Sequence, residues 1–545
     1  MISKGFHSVV LAGCVLGALI ANAAEVPTIL KSTAGEQLIV NGKPYLILGG
    51  ELGNSSAGTA AQADSILPRI SQMHVNTVLM PVAWEQIEPT EGSFDFSILD
   101  HWIDVARVQH LHLVVLWFGS WKNAFSNYAP AWVRQDTKRF PRAIATDGNE
   151  LEILSTLGSE TLKSDSRAFS GLMKHLREKD QDQQTVLMVQ VENEVGYLGR
   201  GRDRSEAANR LFHSSAPPEL IRKLQSSRDS FSPELHAHFN SAGTTWTEVF
   251  GEAADEVFMA WNYARYIEAV AAQGKQAYPL PMYVNCQLPA PAERAGEYPS
   301  GGPNPYYLEV YRVTAPSLDF YSPDIYWPNF EYWIDRYKFS GNAVFVPEAQ
   351  LESAPYNAFY AYGEAGAFGF SPFGIDSLQI GRDEHDSGPS LKDVYEVLDS
   401  ISEILLSHQA SGSTRGMVLH ANSPRPTQTV ALGNYLFEAT ISRSWPANTL
   451  LVEDGAMIVV QSTANEFYIA GSGLTVSFFR NPDVDTQVSG IASIEEVSCS
   501  NGNWITLRRL NGDQTNQGRQ LLMGPHQVHV YRVILFSTYK TPREH

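Results

Sequence analysis

The chain has 545 residues, 43% of them hydrophobic and 11% aromatic, with a formal net charge of −19. That is enough apolar material for one large core and a second one. The acidic balance disfavours phosphate-rich partners such as nucleic acid and suits a soluble protein acting on a neutral substrate.

Residues 1–23 read as an export signal. Lys4 supplies the positive start, Val9 to Ile20 the apolar stretch, and Ala21-Asn22-Ala23 a small-residue cleavage site. Leu11-Ala12-Gly13-Cys14 also resembles a lipobox, so the expected product is exported, periplasmic or secreted, and either free or anchored through Cys14. No stretch reaches the roughly 20 apolar residues a transmembrane span needs. Once Cys14 is removed, Cys286 and Cys499 make neither a disulfide framework nor a zinc spacing. No metal and no cofactor is expected, and nothing in the residues specifies an oligomeric state.

Residues 24–44 form a short β prelude, in which Asn41-Gly42 marks a tight hairpin turn. Eight buried-strand candidates follow, at 45–52, 76–84, 111–119, 185–194, 282–287, 318–326, 343–350 and 367–374. Helical spacing of apolar residues fills 61–74, 96–109, 168–179 and 255–273. Strand and helix alternating eight times predict an α/β fold, the closed (β/α)8 TIM barrel, over 45–410. The rival open doubly wound sheet usually carries a glycine-rich phosphate turn after its first strand, and Gly49-Gly50-Glu51-Leu52-Gly53 is not that pattern. The stretch from Gly196 to about Gly251 has no strong periodicity. It reads as a long βα loop, either shaping a cleft or running over the surface. Residues 390–408 read as one helix. Short β-rich runs at 428–432, 435–441, 457–461, 466–469, 474–479 and 528–536 then predict a C-terminal all-β sandwich over 411–545.

Two of the barrel strands end in acids. Thr185-Val186-Leu187-Met188-Val189-Gln190-Val191 runs into Glu192-Asn193-Glu194, and Ala343-Val344-Phe345-Val346-Pro347 runs into Glu348. Barrel enzymes place their chemistry at the C-terminal ends of strands, and the fourth and seventh strands face each other across the mouth. Two carboxyl groups flanking one bond are what glycoside hydrolysis requires. Glu194 follows an amide able to bind a sugar hydroxyl and is assigned as acid/base, with Glu348 as nucleophile and the Tyr326 hydroxyl as its donor. Strand alternation puts Glu192 on the same face as Glu194, which makes it the alternative acid. Position nearer the tip, directly after Asn193, favours Glu194.

These residues resemble glycoside hydrolase family 35, the β-galactosidases of clan A. The family's Gln-x-Glu-Asn-Glu segment is matched by Gln190-Val191-Glu192-Asn193-Glu194, with Gln183-Gln184-Thr185 in place of a leading Gly-Gly-Pro and Val195 in place of a trailing aromatic. Trp84-Glu85-Gln86-Ile87-Glu88-Pro89, followed by Gly92-Ser93-Phe94-Asp95-Phe96, is similar to a turn shared with family 42. Counting back from Pro130-Ala131-Trp132 places Asn123 where the family has a galactose-holding Glu, with Lys122 as an added charge. The resemblance covers about residues 36–380. It implies a retaining exo-β-galactosidase, in a divergent bacterial subgroup, using Glu194 and Glu348 on a carbohydrate substrate. The alternatives are another clan A glycosidase (a β-glucosidase, arabinosidase or endo-glycanase) and an inactive sugar-binding barrel. Asn193, Asn123, Lys122, Trp121, Tyr326, Trp84 and Glu51 are the candidate substrate contacts. Trp117, Trp327, Asn54, Trp246, Phe250 and Trp261 are further candidates for the pocket or its outer subsites.

Overall fold

The computed structural model describes residues 26–538 apart from 33–34, 291, 379–387, 410, 425, 445–446, 483–487 and 501. The signal segment and Cys14 lie outside the described residues.

The prelude is a three-stranded antiparallel sheet of Thr28–Ser32, Gly35–Val40 and Lys43–Tyr45. Its Asn41-Gly42 turn has φ of 51° and 73°, the left-handed pair that a two-residue hairpin demands. Leu38 and Val40 are buried in one cluster with Ile47, Leu79, Val114, Phe320 and Phe345 from inside the barrel. The prelude therefore seals the end of the barrel opposite the strand tips.

The eight barrel strands are β1 (Ile47–Glu51), β2 (Thr77–Ala83), β3 (His112–Phe118), β4 (Val186–Val191), β5 (Met282–Gln287), β6 (Phe320–Ile325), β7 (Phe345–Ala349) and β8 (Gly369–Pro372). Each lies within a stretch predicted from the apolar runs. They pair in parallel in chain order, and β8 closes onto β1. The strands read as continuous apolar runs because both faces are covered, side chains filling the inside and helices the outside. In β2 and β4 every residue is buried. The crossover helices are α1 (Ala60–Ile70), α2 (Ser97–Val108), α3 (Ser159–Asp180), α4 (Ala254–Ala277), α5 (Leu308–Thr314), α6 (Phe330–Asp335), α7 (Ala354–Gly363) and α8 (Leu391–Ser400). The helix expected over 390–408 is two, α8 and Ser402–Gln409, because Ile401 leaves helical geometry.

The excursion between β4 and α4 is not irregular. It holds four short helices, Glu206–Phe212, Pro218–Ser226, Pro233–His238 and Trp246–Phe250. Three are too short to show a hydrophobic period, Pro218–Ser226 buries Leu220 and Leu224 one turn apart, and their ends are written locally. Ser205, Ser232 and Thr245 cap three of them, and Pro218 and Pro233 occupy first-turn positions.

The C-terminal part pairs a six-stranded antiparallel sheet with a four-stranded one. Strands Thr414–His420, Val488–Ser500, Asn503–Leu510 and Gln520–Leu522 were not among those predicted. Phe437, Met457, Phe467, Ile469 and Val476 fill the space between the sheets. The other face of the six-stranded sheet joins the barrel's own core through Val418, Ile458, Val460 and Ala470. Here α7 lies against the first strand so closely that a methyl on Gly363 would sit 2.7 Å from the Arg415 carbonyl. Cys286, buried in β5, and Cys499, in the sandwich, are free thiols. Among the described residues no helix is long and apolar enough to cross a membrane.

Candidate active site

The strand carrying the first acid stops at Val191, earlier than predicted. Glu192 and Glu194 then turn with φ of 62° and 44°. Period-2 alternation fails once the backbone leaves the extended region. Glu192 does not share a face with Glu194. Its Oε2 accepts from the Trp121 backbone N–H at 2.8 Å, behind the strand tips. Glu194 is held from two sides. Its backbone N–H donates to Asn285 Oδ1 on β5 at 2.9 Å, its carbonyl accepts from Ala124 N at 3.0 Å, and its Oε2 accepts from Asn123 Nδ2.

Glu348 lies on β7 in register with Asp324 on β6. The Tyr326 hydroxyl donates to Glu348 Oε1 at 2.6 Å. Carboxylate oxygens of Glu194, Asp324 and Glu348 all lie within 4.8 Å of one another. Retaining glycosidases hold their two carboxyls ~5–5.5 Å apart, whereas inverting ones leave ~6.5–9.5 Å for a water. Here one oxygen of each acid comes within 4.8 Å of the other, an approach that the first geometry allows.

Burial and the Glu348 carboxylate push the Glu194 pKa up to about 7, against Lys122, Asp324 and Asn123, which lower it. Burial, then Glu348, holds Glu51 and Asp324 well above the usual carboxylate range. Burial pulls Lys122 down, but Glu348, Glu194, Glu51 and Asp324 together outweigh it, and its pKa is raised. Lys122 sets one ammonium among acids of which three, Glu51, Asp324 and Glu194, are shifted toward their neutral forms. The positive charge that such a group of acids calls for thus comes from the chain itself.

Several buried polar atoms at the strand tips have no protein partner: Glu51 Oε1, both amide atoms of Asn193, Asp324 Oδ1 and Glu348 Oε2. Orphaned polar atoms are costly in a closed core, and at a cleft they are what a polyol would satisfy. Asp324 and Asn285 escaped the sequence reading, although Asn285 interrupts the apolar strand Met282-Tyr283-Val284 and Asp324 stands two residues before Tyr326. Asn285 Nδ2 donates to Asp324 Oδ2 at 2.7 Å, so one amide links the acid on β6 to the Glu194 backbone.

The candidate contacts divide. Glu51, Lys122 and Tyr326 join Glu194 and Glu348 in one cluster, and Asn193, next to Glu194 in the chain, has both amide atoms buried without a partner. Asn123 joins the cluster through Glu194, on which its amide is engaged. Trp84 and Trp121 are corrections, because both are 0% exposed and offer no face to a sugar. The Trp84 ring N–H is taken by Glu88 Oε2 at 2.9 Å and its edge by Trp132, and the Trp121 ring N–H donates to Leu154 O at 3.1 Å between Tyr263 and Tyr266. Trp117 is likewise buried on Asp165, and Trp246 and Phe250 are buried against each other. Trp261 is partly buried beneath Arg265, and Trp327 is half-buried with its ring N–H 3.3 Å from Leu288 O. Tyr326 is the large aromatic that stays open, at 39% exposure. Tyr326→Phe should lower kcat by roughly 10- to 100-fold with little change in melting temperature, since it removes one charge-assisted bond to Glu348 from a partly open position. Full activity in that variant would show that the bond does not hold the carboxylate.

A (β/α)8 barrel with a close buried acid pair at its strand tips defines the class as glycoside hydrolase. In agreement, residues 56–230, from the end of β1 past Glu194, match a family 42 glycoside hydrolase model described as Beta-galactosidase. The match covers about a third of the chain, and the model is that of family 42, which shares clan A with family 35; the family 35 resemblance read from the sequence is not supported beyond the clan. Residues 391–522 match a domain of unknown function, DUF5597. No curated protein matches the chain. Among solved structures, the β-galactosidase of the psychrophilic Marinomonas ef1 is similar at 11% identity and TM-score 0.46, over 67% of this chain and 61% of that one. The β-galactosidase of Rahnella sp. R3 is similar at 14% and 0.44, over 66% and 57%. The β-mannanase of the blue mussel Mytilus edulis is similar at 14% and 0.42, over 69% and 97%. The chain therefore spans about three-fifths of the length of the two galactosidases, and at this level a galactosidase and a mannanase score alike.

Proposed function

We propose that this protein is a retaining exo-β-galactosidase of clan A, removing terminal β-linked galactose from oligosaccharides. The observation that carries the reading is the approach of the Glu194 and Glu348 oxygens to within 4.8 Å at the barrel mouth. Glu194, its pKa lifted to about 7, holds the proton that the departing glycosidic oxygen must receive. Glu348, held by Tyr326, attacks the anomeric carbon from the opposite face, and the bond to the leaving oxygen breaks as a galactosyl ester forms. With Glu348 esterified, its charge no longer raises Glu194, which falls in pKa and takes the proton of the incoming water. Water displaces Glu348, and galactose leaves with its configuration retained. Glu51, Asp324, Asn193 and Lys122 bind the sugar's hydroxyls.

Residues 1–23 direct export, so the substrate comes from outside the cell. Galactosylated plant cell-wall fragments of the xyloglucan type fit that setting. A second reading, another clan A glycosidase, is favoured by Asn123 and Lys122 standing where the family pattern has a galactose-holding Glu. A panel of nitrophenyl glycosides separates the two. The expected result is dominant β-galactoside turnover, with proton NMR showing the β anomer as first product. Strong β-glucoside or β-mannoside turnover beside weak β-galactoside turnover would reverse the order, and an α product would overturn the double displacement.

A further inference from the structure

Behind the strand tips lies a second pair of buried acids that the mechanism does not use. We propose that Glu192 and Asp165 share one proton and together clamp the segment 120–124 against the tip of β4, which makes Glu192 a positioning residue for the acid/base Glu194. The catalytic half of this inference rests on the glycosidase reading above, whereas the shared proton does not.

Glu192 and Asp165 are both 0% exposed. A methyl placed on Gly119 would lie 2.7 Å from Glu192 Oε1 and 2.9 Å from Asp165 Oδ1, so the two oxygens converge on one point beside a glycine. Two fully buried carboxyls whose oxygens lie no more than 5.6 Å apart disfavour a second charge. The donors decide which keeps the charge. Asp165 accepts from Trp117 Nε1 at 3.0 Å, Ser120 Oγ at 2.6 Å and the Tyr266 hydroxyl at 3.1 Å. Glu192 accepts only from backbone, Trp121 N–H at 2.8 Å and more weakly Ser120, and its Oε1 has no donor within hydrogen-bond distance. A proton on Glu192 removes both faults at once, since it cancels one charge and turns the orphaned oxygen into a donor toward Asp165. Burial and Asp165 push Glu192 in that direction. The other titratable groups that face it are the phenols Tyr263 and Tyr266 on α4.

The pair anchors an expensive piece of backbone. Asn123, Ala124, Glu192 and Glu194 have φ of 50°, 65°, 62° and 44°, four side-chain-bearing residues in the left-handed region. That region is unfavourable for residues with a Cβ and persists only where the surroundings offset the strain. The two segments are joined by Trp121 N to Glu192 Oε2, Asn193 N to Trp121 O at 3.3 Å, Ala124 N to Glu194 O at 3.0 Å and Asn123 Nδ2 to Glu194 Oε2. The clamped segment carries Lys122 and Asn123, both of which lower the Glu194 pKa. Releasing it would let that pKa climb.

The test compares Glu192→Ala with Glu192→Gln in the full chain. Glutamine keeps the acceptor for Trp121 and offers an amide N–H to Asp165 without a charge. Glu192→Ala should lose roughly 10- to 100-fold in kcat, with the alkaline limb of kcat/KM moved to higher pH. Glu192→Gln should recover most of the loss and return the limb to its wild-type position. An infrared difference spectrum of wild type minus Glu192→Gln at neutral pH should show one carboxylic-acid carbonyl band. Glutamine as damaging as alanine, or an alanine variant with wild-type rate and limb, overturns the positioning role. Absence of the infrared band overturns the shared proton. If alanine does not fold, the glutamine variant and the spectrum decide alone. A wild type inactive on every glycoside tried would sink the glycosidase reading while leaving the spectrum to judge the acid pair.

Discussion

Replacing Glu348 by alanine should cut kcat/KM for a nitrophenyl β-galactoside by more than ~10³-fold. No neighbour can take over. Glu194 is committed to the leaving group, and burial, the largest cause of the raised pKa of Glu51 and Asp324, persists when Glu348 is gone. The fold should not suffer. Glu348 Oε2 bonds nothing in the protein, and Oε1 bonds only the hydroxyl of a half-exposed tyrosine. Removing the charge also relieves Glu51, Glu194 and Asp324, all of which it raises. The melting temperature should therefore hold or rise while activity vanishes, which separates a lost nucleophile from a lost fold. The truncated side chain also leaves room for azide. An added azide ion should attack the anomeric carbon of an activated substrate from the vacated side and accumulate the α-galactosyl azide. Wild-type rates in the alanine variant would end the assignment.

The second large effect is on pH. Glu194 must enter the reaction with its proton, and its pKa stands at about 7 instead of the ordinary 4.5. kcat/KM should thus fall on the alkaline side with a midpoint near pH 7, because free enzyme above that value has an ionised acid. Glu194→Gln should abolish this limb. It should also lose ~10²–10⁴-fold on substrates with a poor leaving group and far less on a dinitrophenyl glycoside, whose phenolate needs no proton. Stability follows the same titration. A carboxyl whose pKa is raised on folding contributes fully below its unfolded value and loses that contribution as pH climbs through its folded value. For Glu194 the window runs from about 4.5 to about 7. The glutamine variant, with nothing to ionise there, should be the more stable protein at pH 8, by of order 1–3 kcal/mol. An alkaline limb that survives the substitution would move the acid to another group.

The reach of sequence reasoning can be seen in single residues. Glu194 and Glu348 were legible because an apolar run ending in an acid is a local pattern with a global meaning. Asp324 carries the same kind of signal at the end of β6, but Ser322 and Pro323 before it dilute the run and it passed unnoticed. Trp84 and Trp121 sit at strand tips in sequence and look like sugar platforms. Both turn away from the mouth, because Glu88 and Leu154 O, each distant from the catalytic acids in the chain, satisfy their ring N–H groups in the core. Alternation would put Glu192 beside Glu194 only in a strand that ran on to Glu194, and this one ends at Val191.

What the sequence by itself determined was the repeating unit. A strand buried on both faces must be apolar throughout, a helix covering it must be apolar at a 3.6-residue period, and a two-residue hairpin needs a pair such as Asn41-Gly42. All three are requirements on neighbouring residues, so eight barrel strands and the prelude's turn could be read in order. Tertiary structure alone decided which acids face one another and which carry protons. Burial, the approach of Glu348 to Glu194 and the convergence of Glu192 on Asp165 are set by side chains that meet only after the barrel closes. Electrostatic energy depends on distance through space, and the order of residues along a chain does not contain it.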